Sequence, residues 1–395
     1  MTTHFMPRRL RILFVIGTMS GGGAERQVIE ILKHLDRARF EPILYVGSRR
    51  GELLGEIPAD VPVHSFWEDF LRTWPSKLHR LFRTVSRVRW RHLAKLLADE
   101  RIDLVYDRTF LASVEAAEAT AIRPTPRLSA CVADPETEVN LHFARRIEHG
   151  RRRAAQVYGT ASRVLANSNG LRQRLIDYLG LKPEQIEVAY NVLDLDRVRK
   201  LSAVGRTDWS PDRFHLLTIG RIDENKGHRD LLAAVELVKQ RGHSRLLWHV
   251  AGTGAGESDL RREIRERGLE SSVDLMGFVA NPFECYRSAD LVCLPSRTEG
   301  LPNVLIEALA CRTPVLSTDC PSGPREILDG GRYGTLVPVG DPQAMADAIE
   351  ACLHDPTPWR EQALAGSKFV EQTFSVPVGL ARLERLIEET ASRGV

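Results

Sequence analysis

The chain has 395 residues, enough for two domains that each bury a core of their own. An apolar share of 43% and a charged share of 27% are those of a globular protein and exclude a disordered or fibrous chain. The net charge of +3 gives no global attraction to nucleic acid, and no apolar run approaches the ~18 residues of a membrane span.

The opening MTTHFMPRRLRILFVIG leads straight into a strand and does not read as a signal peptide. Cys131, Cys285, Cys293, Cys311, Cys320 and Cys352 form no C-x-x-C pair and no metal-ligand spacing with histidine. They read as reduced, mostly buried thiols, which points to the cytoplasm.

Residues 11–17 (RILFVIG) predict a buried parallel strand. The turn Ser20-Gly21-Gly22-Gly23 follows, and Val28, Ile31, Leu32 and Leu35 then recur at helical spacing. Strand, glycine-rich turn and helix let backbone amides approach a phosphate closely, although a flexible turn would read the same way. Further strands are predicted at 42–46, 103–106, 128–132 and 163–166, separated by helical patterns. That alternation predicts a doubly wound α/β domain.

Between Phe70 and Ala98 no acidic residue occurs, while Arg72, Lys77, Arg80, Arg83, Arg87, Arg89, Arg91 and Lys95 do. Leu78, Leu81, Phe82, Val85, Val88 and Leu96 keep a helical period, and Arg80, Arg83, Arg87, Arg91 and Lys95 form a second stripe. A basic amphipathic helix of this kind suits an anionic membrane surface. The alternative is a domain helix with solvated arginines. Arg145, Arg146, Arg151, Arg152 and Arg153 form a second basic cluster.

Ser168 or Asn169 is placed to cap a helix starting near Leu171. The stretch 202–213, with Gly205, Trp209 and Pro211, reads as a hinge region. A second domain opens with a strand at 216–219 followed by Gly220-Arg221-Ile222-Asp223-Glu224-Asn225-Lys226-Gly227. Two cations beside a glycine-lined strand end suit a diphosphate, though a basic loop is more often simply solvated. Gly252-Thr253-Gly254-Ala255-Gly256-Glu257 fails the dinucleotide fingerprint, because Glu257 stands where the third glycine belongs. Strands are predicted to end near Val279, Ser296 and Thr318, and helices to fill 342–353 and 378–390.

The most informative stretch is Glu299-Gly300-Leu301-Pro302-Asn303-Val304-Leu305-Ile306-Glu307. Pro302 and Asn303 predict a helix start, and Leu301, Val304, Leu305, Ala308 and Leu309 repeat along one face. Glu307 falls about 12 Å beyond Glu299 at 1.5 Å per residue. Carboxylates that far apart cannot act on one bond, but they can hold opposite ends of an elongated, hydroxyl-rich ligand around a helix N-terminus.

Glu299 to Glu307 matches the Glu-x7-Glu signature, and with Arg221 and Lys226 in order the chain resembles the retaining glycosyltransferases of family 4. The resemblance implies the GT-B fold: two Rossmann-like doubly wound α/β domains facing a central cleft, with the last helix crossing back to the first. It implies an N-terminal acceptor-side domain at 1–194, a donor domain at 195–374 and a returning helix at 375–395. The implied reaction moves a hexosyl or N-acetylhexosaminyl group from a UDP- or GDP-sugar to an acceptor hydroxyl, with retention.

In such a site Gly22, Gly23, Arg221 and Lys226 lie at the donor diphosphate, and Gly252, Phe278 and Val279 lie at the nucleotide end. Glu299 and the amides of Gly300, Leu301, Pro302 and Asn303 hold the sugar, where proline offers backbone shape only. Glu307 holds the ribose. No Asp-x-Asp motif stands where a metal would be expected, so no cofactor or metal is implied.

One departure is Ala133, which stands where the family commonly has histidine. Asp134 and Glu136 remain as candidate bases, and the departing phosphate can itself take the acceptor proton. The basic helix suggests a lipid-linked saccharide as acceptor and a peripheral place on the cytoplasmic face of a membrane. A nucleotide-sugar epimerase and a non-catalytic sugar-nucleotide binder are the alternatives.

Overall fold

The computed structural model describes residues 8–70, 82–203 and 208–392. The chain begins with β1 (Leu10–Ile16), α1 (Gly23–His34), β2 (Phe40–Val46), β3 (Val63–Ser65), α2 (Phe82–Asp99) and β4 (Leu104–Arg108). Next come α3 (Phe110–Ile122), β5 (Arg127–Cys131), α4 (Pro135–Phe143), α5 (Ile147–Gly159), β6 (Arg163–Ala166), α6 (Asn169–Leu179) and β7 (Ile186–Val188). The second stretch runs α7 (Leu195–Ser202), β8 (Phe214–Ile219), α8 (His228–Gln240), β9 (Leu246–Ala251), α9 (Glu257–Glu266), β10 (Val273–Gly277) and α10 (Pro282–Ser288). It continues through β11 (Leu291–Leu294), α11 (Asn303–Ala310), β12 (Val315–Thr318), α12 (Pro324–Ile327) and β13 (Thr335–Val337). Three helices close the chain: α13 (Pro342–His354), α14 (Thr357–Thr373) and α15 (Val376–Ser392). Two compact units result, 1–192 with 376–395, and 193–375.

Unit 1 carries a seven-stranded sheet in the order β3-β2-β1-β4-β5-β6-β7, every pair parallel. The central strand shows why its sequence is a continuous apolar run. Ile12, Phe14 and Ile16 face a core with Val28 and Leu32 of α1 and with Leu383, Leu386 and Ile387 of α15. Leu13 and Val15 face the opposite core with Leu93 and Leu97 of α2 and with Ala112 and Ala116 of α3. Both faces are covered, as parallel sheets require.

Helix α15 therefore belongs to the first unit, held also by Arg39 on Glu384 at 2.8 Å and on Glu388 at 2.7 Å. Ser168 is the cap of α6, its hydroxyl accepting from the Leu171 amide at 3.0 Å.

Unit 2 has a six-stranded sheet in the order β10-β9-β8-β11-β12-β13, again parallel throughout. Its core gathers Leu216, Leu231, Val235, Trp248, Leu291, Met345 and Ile349. In each sheet the strand order reverses once, between β1 and β4 and between β8 and β11. The loops leaving those strand pairs diverge, which opens the crevice where ligands of open α/β sheets bind. No helix among the described residues is long and apolar enough to cross a membrane.

Candidate active site

The loops at the C-terminal ends of β8, β9 and β11 are laced together by glycine. A Cβ on Gly252 would lie 1.9 Å from the Gly220 carbonyl oxygen, and one on Gly227 would lie 1.9 Å from that of Pro295. Both glycines have positive φ, at 145° and 65°, so no other residue fits these close approaches without a shift. Asn225 ties the β8 loop to the β11 loop: its amide donates to the Thr298 carbonyl at 2.9 Å, and its carbonyl accepts from the Thr298 hydroxyl at 2.7 Å. This bracing delivers Lys226 to Glu299, Nζ to Oε1 at 2.6 Å. Ser296 donates to the same carboxylate oxygen at 2.7 Å.

Helix α11 starts just beyond. Leu301 and Pro302 are buried, so only their backbone is available to a ligand. The Gly323 turn packs against this start, where a Cβ would meet Pro302 at 2.5 Å. Glu307, further along α11, accepts from the buried Tyr286 hydroxyl at 2.8 Å. Burial, and then the Glu307 charge, push the Tyr286 pKa well up, so the phenol keeps its proton and stays a donor.

Arg221 is 81% exposed and lies 3.5 Å from Asp223, so its guanidinium is available to solvent-borne anions. Gly252 follows β9, while Phe278, 56% exposed, and the half-buried Val279 follow β10. The residues expected at the donor from this half therefore gather along one sheet edge around the β8–β11 reversal. Tyr286, Asn225 and Ser296 were not expected. Tyr286 lies on α10, 21 residues before its partner, and no motif marks it.

In unit 1, Gly22 and Gly23 are exposed where β1 gives way to α1, and Gly22 is its N-cap without a side-chain bond. That turn is braced from below, because a Cβ on Gly51 would fall 2.1 Å from the Met19 backbone.

The carboxylates after β5 need correction. Asp134, 3% exposed, accepts from the Thr137 amide at 2.9 Å and from Arg174 at 2.7 Å, so it caps α4 and closes an ion pair. Glu136 shares the same guanidinium at 2.6 Å. Asp134 is thus held by a guanidinium and a helix amide, and Glu136 by the same guanidinium, so both expected bases already have partners. Hydrogen bonding to Asp134 correspondingly raises the Arg174 pKa.

On α2, Arg87 and Arg91 are exposed. Arg80 and the side chain of Arg83 lie outside the described residues. Arg89 departs from the solvated stripe: it pairs with Glu115 of α3 and lies over the Phe66 ring at 5.6 Å. Leu111 on α3 is 57% exposed, and further along the chain Leu141 and Ile147 are exposed at 71% and 38%, with exposed Arg145 and Arg146 between them in sequence.

Comparison with known proteins places these features in a family. The profile described as Glycosyltransferase Family 4 matches residues 21–197, and that described as Glycosyl transferases group 1 matches 213–355. One relative, from Campylobacter jejuni, is 32% identical over 201 residues, 50% of this chain and 53% of the relative. Its name is N-acetylgalactosamine-N,N'-diacetylbacillosaminyl-diphospho-undecaprenol 4-alpha-N-acetylgalactosaminyltransferase. The chain thus spans about half the length of that relative.

A second enzyme of that organism, a GalNAc-alpha-(1->4)-GalNAc-alpha-(1->3)-diNAcBac-PP-undecaprenol alpha-1,4-N-acetyl-D-galactosaminyltransferase, is 24% identical across 88% of this chain and 89% of its own. Among solved structures, Anabaena HepE in complex with UDP and glucose has a TM-score of 0.78 at 24% identity, covering 96% of this chain and 100% of its own. Sucrose-phosphate synthase from Thermosynechococcus elongatus has a TM-score of 0.80 at 20% identity, covering 98% and 100%. With two parallel-sheet domains and both family profiles in sequence, the chain belongs to the family 4 glycosyltransferases of GT-B fold.

Proposed function

We propose that the chain transfers a hexose or N-acetylhexosamine from a UDP-sugar to a hydroxyl of a lipid-linked saccharide, with retention at the anomeric carbon. The observation that carries this reading is the Lys226–Glu299 contact at the strand-order reversal of unit 2, beside the start of α11. Lys226 and the exposed Arg221 would neutralise the diphosphate as it departs. Glu299 would accept hydrogen bonds from the sugar hydroxyls, and the α11 amides would face its oxygens. Glu307, oriented by Tyr286, would accept from the ribose. Gly22 and Gly23 would let the first unit's backbone approach the donor, and Gly252, Phe278 and Val279 would border the nucleobase.

The bond from the anomeric carbon to the phosphate oxygen breaks while a bond to the acceptor oxygen forms on the same face. The acceptor proton passes to the leaving phosphate, which suits a site whose carboxylates after β5 are occupied. Fixed cations supply the charge stabilisation, so the reaction is expected to need no metal. UDP in the HepE structure supports the nucleotide, and the undecaprenol-linked acceptors named for the two Campylobacter enzymes support the acceptor class. Arg87 and Arg91, with the exposed Leu111, Leu141 and Ile147, would meet an anionic membrane surface where such an acceptor resides.

The test is incubation of the protein with radiolabelled UDP-hexoses and UDP-N-acetylhexosamines and an undecaprenol-linked saccharide. Label in the lipid phase with α configuration from an α-donor supports the reading. An epimerised nucleotide sugar without acceptor, or no turnover with any donor, contradicts it.

A further inference from the structure

Two arginines are buried near the adjoining strands β4 and β5, and only one meets an opposite charge. Arg127, 1% exposed, lies 3.3 Å from the buried Asp107 carboxylate. Arg108, 5% exposed, has neutral partners alone: it donates to the Tyr106 hydroxyl at 3.1 Å and to the Asn191 side-chain oxygen at 2.6 Å. Among the described residues no carboxylate pairs with Arg108, and its buried Nε has no hydrogen-bond partner. A cation taken out of water without a counter-charge is costly, because neutral dipoles replace only part of its hydration.

Arg108 lines a partly open cavity of about 20 Å³ together with Gln27, Tyr106, Val132, Asn167 and Tyr190. Asn167, 3% exposed, donates to the Val132 carbonyl at 3.3 Å and leaves its own side-chain oxygen buried and unpartnered. The cavity therefore offers a positively charged donor on one wall and an unmet acceptor on another. Its volume admits about one water-sized group, too little for a whole phosphate. Arg108 also ends β4, one of the two strands at the reversal of sheet order, where this class of sheet takes its ligands.

We propose that this cavity is an anion subsite for the acceptor. One oxygen of a phosphoryl or carboxylate group enters from the mouth onto Arg108, and a neighbouring hydroxyl donates to Asn167. The inference rests on reading the first unit as the acceptor side. A lone water in the cavity would leave the Arg108 charge uncompensated, so an anion is the better complement.

The test is calorimetric titration of the full chain, with UDP saturating to occupy the donor site, against inorganic pyrophosphate, glucuronate and neutral glucose. The wild type should bind one of the two anions at least tenfold more tightly than glucose, and which one it is separates a phosphoryl from a carboxylate source. Arg108→Gln should remove that preference, and Arg108→Lys should keep part of it. In transfer assays the ratio of kcat/KM for an anionic over a neutral acceptor should fall at least tenfold in Arg108→Gln.

If neither anion binds the wild type, or both bind Arg108→Gln unchanged, the cavity holds water only and the proposal is overturned. Arg108→Lys decides the point should the glutamine variant fail to fold. If UDP does not bind, the donor reading fails; repeating the anion titration in Lys226→Ala then still decides the cavity.

Discussion

The Lys226 ammonium and the Glu299 carboxylate lie 2.6 Å apart, with the glutamate side chain only 11% exposed. Lys226→Ala thus removes the cation proposed for the diphosphate and leaves a covered carboxylate that keeps its bond from Ser296. The expected loss is about 2–4 kcal/mol of transition-state stabilisation, a fall of about 30- to 900-fold in kcat/KM. Lys226→Arg should recover part of it, and near-wild-type kcat/KM in the alanine variant would remove Lys226 from the site.

The next turn carries His228, 3% exposed, with neither ring nitrogen partnered and its pKa lowered to about 4, chiefly by burial. Nearby Asp223 raises that value and Lys226 lowers it. Because the folded value lies below the usual 6.5, the unfolded chain binds the extra proton first. Stability is therefore full above about pH 6.5 and falls as pH drops towards 4. Between pH 7 and pH 5 this one group should cost about 2 kcal/mol, and His228→Asn should flatten the denaturant-measured pH profile by that amount.

At the same scale, the surroundings that sequence leaves hidden are those set by partners far along the chain. Asp134 shows an acid after a strand, but nothing local announces Arg174, 40 residues on, which pairs with it. The spacing from Glu299 to Glu307 is legible because it is a property of one short segment.

Among the elements, the long central strands declared themselves by apolar runs, and α11 by its proline start and periodic face. The strands β3, β7 and β13 did not, since each is a three-residue strand at a sheet edge, too short for any period to register. Helix α2 was legible as basic and amphipathic, yet its run of arginines is not uniform. Arg89 turns inward to Glu115 because the α2–α3 contact needs a counter-charge there, while Arg87 and Arg91 stay exposed. Each exposed cation adds about 1 kcal/mol of attraction near an anionic surface. Arg87→Glu with Arg91→Glu should lower partitioning onto phosphatidylglycerol-containing vesicles at least about tenfold, with melting unchanged. Wild-type binding should itself weaken with salt, because screening sets in beyond about 8 Å at physiological ionic strength. Equal partitioning of the two proteins would return α2 to a solvated domain helix.

For the whole molecule, two parallel sheets with one order reversal each follow from alternating strand and helix patterns. The return of α15 to the first unit depends on contacts that no local pattern shows, such as Arg39 with Glu384. The central claim is that the second unit holds a nucleotide diphosphate with protein cations and carboxylates alone. Titration of UDP in EDTA, followed by thermal unfolding, tests it most directly. The account predicts saturable stabilisation, about 2.7 kcal/mol at a hundred times Kd. It also predicts that Lys226→Ala and Glu307→Ala each weaken binding at least about tenfold. Stabilisation that appears only with added magnesium or manganese, or equal UDP affinity in both variants, would contradict it.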